Sequence, residues 1–175
     1  AINAKFQYKN KIINSGKVTT FSNLTVVSEN RLTPINKKKL LKPEIMPLFG
    51  CALTTGFGVV NNLCNDLKNK NIIIYGAGGI GLSILKACLL KNPKKIIVID
   101  KTKSKLNLSK KLGASHVINS NTKNLKYLIN KICSKQGIDV FFDNTGNTKV
   151  IETGYHLTNS RGQIILIGVP KIFSK

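Results

Sequence analysis

The stretch NIIIYGAGGIG, residues 71–81, constrains the fold of this chain more than any other feature of the sequence. Its first five residues form an apolar run that predicts a buried β-strand, and Gly76, Gly78 and Gly81 follow with the spacing G-x-G-x-x-G. The first glycine permits a tight turn, the second lets a pyrophosphate approach the backbone, and the third lets a helix pack closely on the strand. The sequence therefore predicts a phosphate-binding turn between a strand and the N-terminus of a helix.

From residue 71 onward, short apolar runs alternate with stretches of helical periodicity. The predicted strands are apolar throughout rather than alternating, which indicates a parallel sheet covered on both faces. We therefore expect an α/β fold with a doubly wound, Rossmann-type sheet of five strands. The predicted strands are 71–75, 95–100, 116–119, 138–143 and 163–168, and the predicted helices are 54–67, 80–91, 104–113, 124–135 and 147–158.

The first 36 residues have a different character. Short runs of β-branched and aromatic residues, broken by turn residues at 14–16, predict two or three strands of an antiparallel element. This element is too short to be a domain by itself. A polar connection with two prolines, NKKKLLKPEIMP, follows at 36–47.

Asp100 ends the second predicted strand, at about the distance beyond Gly76 at which dinucleotide-binding folds place an acidic residue, roughly 20 positions. A carboxylate there accepts hydrogen bonds from the adenosine ribose and repels a 2′-phosphate, which favours NAD over NADP. Lys101, Lys103 and Lys105 follow closely and soften that repulsion. The alternative is a glycine-rich turn that binds no dinucleotide.

Asp143 ends the fourth predicted strand, and the fifth strand runs into Gly168, Val169 and Pro170. Ligands of open parallel sheets bind at the carboxyl ends of the strands, so both segments should line the same crevice as the glycine turn. Asp143 has two interpretations that the sequence leaves open. It either faces the crevice or caps its own loop.

The net charge of +21 comes from 28 Lys and Arg against 7 Asp and Glu. Nucleic-acid binding would use such charge to neutralise phosphates. Only Arg31 and Arg161 are arginine, however, and aromatic residues do not interleave the lysine-rich segments. We therefore interpret the charge as a general lysine bias and expect no nucleic-acid partner.

The sequence contains no apolar run of the roughly 18 residues that span a bilayer, and its start lacks the pattern of a secretory signal. We therefore expect a cytoplasmic protein without a membrane partner. Four cysteines, Cys51, Cys64, Cys88 and Cys133, are scattered without a CxxC pair, which argues against a closed structural zinc site. Cys88 and Cys133 lie in apolar helical patterns and are predicted to be buried free thiols.

With these motifs in order, the chain resembles the zinc-dependent medium-chain alcohol dehydrogenases. The resemblance implies that 1–50 is the end of a GroES-like catalytic domain and its connection. It also implies that 51–175 is an NAD-binding Rossmann domain with five of six strands. The segments that carry it are GCALTTGFG (50–58), IIIYGAGGIGLSILKA (72–87), KKIIVIDKTKSKL (94–106), FDNTGNTKVIETGYHL (142–157) and GQIILIGVP (162–170).

The resemblance also implies roles for single residues. Cys51 stands where the family has a ligand of the catalytic zinc, and a thiolate suits a helix start and a metal. The family's other zinc ligands and proton relay precede Ala1, so the chain should bind a dinucleotide but not catalyse. The implied cofactor contacts are Gly76, Gly78, Gly79 and Gly81 in the turn, Thr55 and Ile80 at the nicotinamide, Asp100 and Lys105 at the adenosine ribose, Thr145 on the adenine side, and Ile167 and Val169 at the carboxamide.

The sequence-based hypothesis is a portion of a zinc-dependent, NAD-linked alcohol or polyol dehydrogenase acting on a small alcohol, aldehyde or ketone. Two alternatives remain: a zinc-free, NADPH-using reductase of the same superfamily, and a non-catalytic module that binds nucleotide or nucleic acid. The full-length protein is expected to be a homo-oligomer. The apolar run IILI at 164–167, left as a bare sheet edge, predicts that the isolated chain self-associates.

Overall fold

The computed structural model describes residues 6–13, 23–35, 42–134 and 136–170. The chain divides into two compact units, Ala1–Pro43 and Glu44–Lys175. This division falls a few residues before the predicted boundary at residue 50. The assignment of the first unit to a GroES-like domain stays a prediction.

The N-terminal unit contains an antiparallel hairpin of β1 (Phe6–Tyr8) and β2 (Lys11–Ile13). Its two-residue turn, Lys9 and Asn10, has φ of 47° and 59°, the left-handed conformation that favours two-residue hairpin turns. The hairpin agrees with the predicted antiparallel element. The predicted turn at 14–16 lies outside the described residues, and 23–35 form a 3-10 turn at Glu29–Arg31 rather than a further strand.

The second unit is built on a five-stranded parallel sheet in the order β5-β4-β3-β6-β7. The chain starts in the middle at β3, moves outward through β4 to β5, and then crosses back to β6. The crevice between the carboxyl ends of β3 and β6 is therefore the topological switch point, where ligands of such sheets bind. The strands are β3 Asn71–Tyr75, β4 Lys95–Asp100, β5 His116–Asn119, β6 Ile138–Asp143 and β7 Thr158–Leu166.

The first four strand predictions are confirmed, but the fifth strand is longer and earlier than predicted. It begins at Thr158 instead of residue 163 and ends at Leu166 instead of 168. A register shift opposite Ile138 and Val140 lets the polar segment before Gln163 join the strand as an irregular, bulged start. The sequence predicts a loop for this segment because its residues are polar and the bulge interrupts the pattern by which a strand is recognised.

Six α-helices occur in the described part of the chain, and all but the short first one pack against the sheet. The C-terminal glycine stop after α4 is confirmed by the φ of +113° at Gly113, and the predicted N-cap of α6 by Asn147, whose side chain accepts a hydrogen bond from the Lys149 N–H. The helices are α1 Met46–Phe49, α2 Ala52–Leu63, α3 Gly79–Leu89, α4 Lys103–Lys111, α5 Leu125–Ile132 and α6 Thr148–Leu157.

The core lies on both faces of the sheet. Alternate residues of β3 point to opposite sides: Ile72 and Ile74 pack with α2 and α3, and Ile73 packs with α5 and α6. The central strand is covered on both sides, because these three isoleucines have no exposed surface. The two covered faces explain why the strands are apolar throughout instead of alternating.

Among the described residues, no single helix is long and apolar enough to cross a membrane. Within these described residues, the bent pair Pro43–Phe49 and Ala52–Leu63 is the only one that meets the length and composition criteria together.

Candidate functional site

The glycine turn has the geometry that its predicted roles require. Gly76 has a φ of +97°, which side-chain-bearing residues rarely adopt, and its N–H donates to the Ile99 carbonyl at 2.8 Å. A Cβ on Gly81 would lie 1.9 Å from the Gly76 carbonyl oxygen, so α3 packs directly on the turn. A Cβ on Gly78 would meet no atom within 4 Å. Gly78 therefore leaves open space beside the backbone at the start of α3.

The start of α3 has unpaired backbone donors. Gly78 is the N-cap residue and has no side chain that could cap the helix. The first hydrogen bond of the helix runs from the Leu82 N–H to the Gly78 carbonyl. The N–H groups of the first helical turn, Gly79 to Gly81, consequently lack intrahelical partners, and this turn begins beside the open space at Gly78. Such a terminus suits a phosphate group.

Asp100 lies at the carboxyl end of β4 with a side chain only 8% exposed. One carboxylate oxygen accepts the Ala77 N–H at 2.8 Å and the other accepts the Thr102 N–H at 2.8 Å. Burial alone raises the pKa of Asp100, but these N–H groups and the charge of Lys105 outweigh it and leave the pKa below its usual range. The group is therefore ionised at neutral pH and ties the glycine turn to β4.

A cavity of about 330 Å³ lies beside Asp100. It brings together the predicted Gly76, Asp100, Lys105 and Thr145. A larger cavity of about 420 Å³ lies at the opposite, amino edge of the sheet, away from the switch point, and we regard the smaller one as the candidate site. The remaining lining residues are Tyr75, Lys101, Ser120, Asn147 and Val150.

Sequence reasoning did not assign a site role to Tyr75, Ser120, Asn147 or Val150. The Tyr75 side chain interacts with that of Ser120, and burial raises the Tyr75 pKa while this hydrogen bond opposes the rise. Tyr75 ends β3, Ser120 follows β5, and Asn147 follows the loop after β6. The rule that ligands bind at carboxyl ends of parallel strands could have identified them.

The structure decides between the two interpretations of Asp143. Its side chain is fully buried, and it accepts the Thr145 N–H at 2.9 Å, the Thr145 hydroxyl at 2.6 Å and the Gly146 N–H at 3.0 Å. All three donors belong to the loop that follows β6. Asp143 is therefore a loop-capping acid, and the interpretation as a crevice-facing acid is wrong.

The same loop fixes the end of β7. The Asp143 carbonyl accepts the N–H groups of Ile167 and Gly168 at 2.8 and 3.0 Å. A Cβ on Gly168 would lie 2.1 Å from the Gly146 nitrogen, so the two loops touch through their backbones. Ile167 and Val169 are thus held next to the loop that carries Thr145, and Val169 is 86% exposed. Their predicted contacts to a carboxamide stay predictions.

Asn144 is a further residue that the sequence did not single out. Its side-chain amide donates to the carbonyls of Tyr75 at 3.3 Å and Gly76 at 3.4 Å. Its buried Oδ1 has no partner among the described residues. Asn144 thereby links the loop after β6 to the glycine turn across the switch point.

Cys51 is exposed and forms the N-cap of α2, and its carbonyl accepts the Thr55 N–H at 2.9 Å. Close packing of α2 on α3 sets its position relative to the glycine turn. A Cβ on Gly56 would lie 2.4 Å from Ser83 Cβ, and one on Gly79 would lie 3.2 Å from Ala52 Cβ. The helix that carries Cys51 and Thr55 therefore begins beside the start of α3, which carries Ile80.

A zinc site needs three or more ligands. No group of three His, Cys, Asp or Glu side chains that could hold a metal occurs among the described residues. Cys51 thus offers a single suitable donor, and the described residues do not fit a complete zinc centre.

Several known proteins are similar to this chain. The family model described as zinc-binding dehydrogenase matches residues 79–174, more than half of the chain. Two similar curated relatives are S-(hydroxymethyl)glutathione dehydrogenases: that of Photobacterium damsela subsp. piscicida is 33% identical over 86% of this chain and 41% of the relative. That of Saccharomyces cerevisiae is 33% identical over 86% of this chain and 40% of the relative. The chain therefore spans about two fifths of the length of these relatives.

A solved structure of benzyl alcohol dehydrogenase from Acinetobacter calcoaceticus is also similar. It is 31% identical with a TM-score of 0.72, over 78% of this chain and 38% of that one. The structural match confirms the predicted Rossmann-type α/β fold, and the family match confirms the resemblance drawn from the motifs. The chain belongs to the zinc-binding dehydrogenases, the family of the zinc-dependent medium-chain alcohol dehydrogenases.

Proposed function

We propose that this chain is a portion of a zinc-dependent, NAD-linked alcohol or polyol dehydrogenase, and that its second unit binds the NAD. The observation that carries the proposal is the crevice at the switch point. There Gly76 and the ionised Asp100 line a cavity of about 330 Å³, and the same glycine turn leads into the open space at Gly78 and the start of α3. A dinucleotide has the matching sequence of groups, a pyrophosphate followed by a ribose and adenine.

Different residues would bind the different parts of NAD. The pyrophosphate would accept hydrogen bonds from the N–H groups at the start of α3, and Asp100 would accept hydrogen bonds from the adenosine ribose hydroxyls beside Lys105. The Asp100 carboxylate accepts two backbone N–H groups and interacts with the Thr102 side chain, and a carboxylate has about four acceptor positions, so one stays available to a ribose hydroxyl. Thr145 lies in the same cavity on the adenine side.

The nicotinamide end extends toward α2 in this proposal. Thr55 and Ile80 lie on two helices that begin side by side, and the backbones of Ile167 and Val169 follow β7 at the same edge of the sheet. When bound, NAD accepts or donates a hydride. The protein's task at this end is to orient the ring and to exclude water from it.

Cys51 is proposed as one ligand of the catalytic zinc. It is exposed and stands at the N-cap of α2. Zinc would polarise an alcohol or carbonyl oxygen. Because the described residues supply this single donor, we derive no catalytic step through the metal.

The substrate, location and assembly are proposed from the family. The curated relatives named above act on S-(hydroxymethyl)glutathione, and the solved neighbour is a benzyl alcohol dehydrogenase. A small-molecule alcohol, or the matching aldehyde or ketone, is the proposed substrate class. The full-length protein is proposed to be a cytoplasmic homo-oligomer with no nucleic-acid or membrane partner.

The proposal is tested by calorimetric titration of the whole chain with NADH, because the chain has no tryptophan to report binding by fluorescence. We expect binding that Asp100→Ala weakens at least tenfold and that Asp66→Ala leaves unchanged. Asp66 is a matched control because it is an exposed acid before β3, at the opposite edge of the sheet. A chain that is folded by circular dichroism and yet binds no NADH would contradict the proposal.

A further inference from the structure

The cavity beside Asp100 has an unusual charge distribution for a site that favours NAD. Two lysines, Lys101 and Lys105, line the same cavity as Asp100. We infer that this cavity accepts a ribose 2′-phosphate, so that the chain binds NADPH with an affinity close to that for NADH. The inference rests on the proposed dinucleotide site and concerns its choice of cofactor.

The first step is that the negative charge of Asp100 is already partly satisfied within the protein. Both carboxylate oxygens accept backbone N–H groups at 2.8 Å, from Ala77 and Thr102. The positive end of each N–H dipole faces the carboxylate, and Lys105 lies close enough to favour its ionised form. A phosphate that approaches from the cavity therefore meets a carboxylate whose field is reduced.

The second step is the depth of the charged groups. Asp100 is 8% exposed, whereas Lys101 and Lys105 are both exposed residues of the cavity lining. A group on the 2′ oxygen that faces solvent reaches the ammonium groups more readily than the buried carboxylate. Lysine has a compact charge on a flexible stem, so both side chains can follow a phosphate without a fixed geometry.

The third step is the balance of charge. The cavity lining contains two cationic side chains and one anionic side chain. The lining therefore has a net charge of +1, which offsets part of the up to two negative charges that a 2′-phosphate adds, whereas the ribose hydroxyls of NADH gain nothing from that surplus. The acid at the strand end favours NAD, and the lysines offset that preference.

The experiment compares NADPH and NADH in calorimetric titrations of the whole chain at low and high salt, about 50 and 300 mM. We expect the Kd for NADPH to lie within about tenfold of that for NADH at low salt. The ratio of the NADPH Kd to the NADH Kd should rise at high salt, because salt screens the charges of the exposed lysines. The double variant Lys101→Gln with Lys105→Gln should raise that ratio at least tenfold. Lys86→Gln, an exposed lysine in the last turn of α3, should leave the ratio unchanged.

The ratio is the quantity to follow because Lys105 is proposed to contact the ribose with either cofactor. A single Lys101→Gln variant, which touches no proposed NADH contact, should raise the ratio through the NADPH affinity alone. NADH binding with NADPH more than about tenfold weaker at low salt would overturn the inference and leave the proposed function intact. A ratio that the lysine variants do not change would also overturn it. Binding of neither nucleotide would overturn the dinucleotide site itself.

Discussion

Replacing Gly81 with alanine tests whether close packing of α3 on the glycine turn holds this part of the fold together. The added Cβ would lie 1.9 Å from the Gly76 carbonyl oxygen and 3.1 Å from its carbonyl carbon. That oxygen cannot easily retreat, because the Gly76 N–H is bonded to the Ile99 carbonyl and the next N–H to Asp100. The clash involves backbone on both sides and must move either the helix or the turn.

Two opposing terms set the magnitude. Alanine is favoured over glycine within a helix by up to about 1 kcal/mol. Overpacking of a tight core contact costs about 1–3 kcal/mol and occasionally more. Because the contact at Gly81 is far inside the limit for a real Cβ, we expect the upper part of that range and a net loss of about 1–2 kcal/mol. For a chain of this length that lowers the Tm by roughly 2–8 °C.

Gly78→Ala is the matched control within the same motif. Its Cβ would meet nothing within 4 Å, and its φ of −79° suits alanine. Stability should therefore change by less than about 1 kcal/mol. The added methyl would, however, occupy the open space proposed for the pyrophosphate, and NADH binding should weaken at least tenfold.

Thermal and urea unfolding followed by circular dichroism measure the stability of both variants, and calorimetry measures NADH binding. A Gly81→Ala chain at least as stable as the wild type would refute the packing argument. A Gly78→Ala chain with full NADH affinity would refute the assignment of that space to the phosphate.

Three further predictions follow from burial and charge. Cys51 is exposed and should react with an aromatic disulfide reagent in the folded chain, whereas the three buried cysteines should react only after unfolding. For Cys88, burial, with a smaller contribution from Cys64, also raises the pKa to about 12, which disfavours the reactive thiolate. Asp100→Asn should cost about 1–3 kcal/mol at neutral pH. The pKa of Asp100 is lower in the folded chain than in the unfolded chain, where it is about 3.9. The stability that ionised Asp100 contributes is therefore fully present above a pH of about 3.9 and is lost as the pH falls through the folded pKa. Urea unfolding should show that the free energies of unfolding of the wild type and of Asp100→Asn approach each other in acid. Leu166→Lys, at a position 54% exposed on the edge strand β7, should reduce self-association in light scattering; a monodisperse wild-type monomer would contradict this.

The sequence predicts the sheet well because the strands of this fold are continuous apolar runs separated by strong turn signals. The predicted bounds of β3, β4, β5 and β6 agree with the structure to the residue. The failure at β7 has a physical cause. Its first residues are polar and join the strand through a register shift, which leaves no periodic signal in the sequence.

The candidate site was only partly predictable. The glycine spacing and Asp100 are local features, so the sequence predicts them directly. Tyr75 and Ser120 meet only because β3, β4 and β5 are neighbours in the sheet, and the apolar strand patterns do not specify side-chain partners at the strand ends. The side-chain amide of Asn144 donates hydrogen bonds to the carbonyls of Tyr75 and Gly76, and these contacts form because β3 and β6 are adjacent at the switch point.

Asp100 and Asp143 show why position at a strand end does not decide whether an acid can bind a ligand. Both end parallel strands at the same edge of the sheet, and both accept backbone N–H groups. After Asp143 the chain turns sharply, with a φ of +64° at Gly146, and brings two N–H groups and a hydroxyl back onto the carboxylate. After Asp100 it enters α4, so Thr102 is the residue that returns to the carboxylate from that side, through its N–H and its side chain, and the carboxylate keeps an edge on the cavity. The two or three residues after the acid therefore determine whether its carboxylate accepts hydrogen bonds from its own loop or remains available to a ligand.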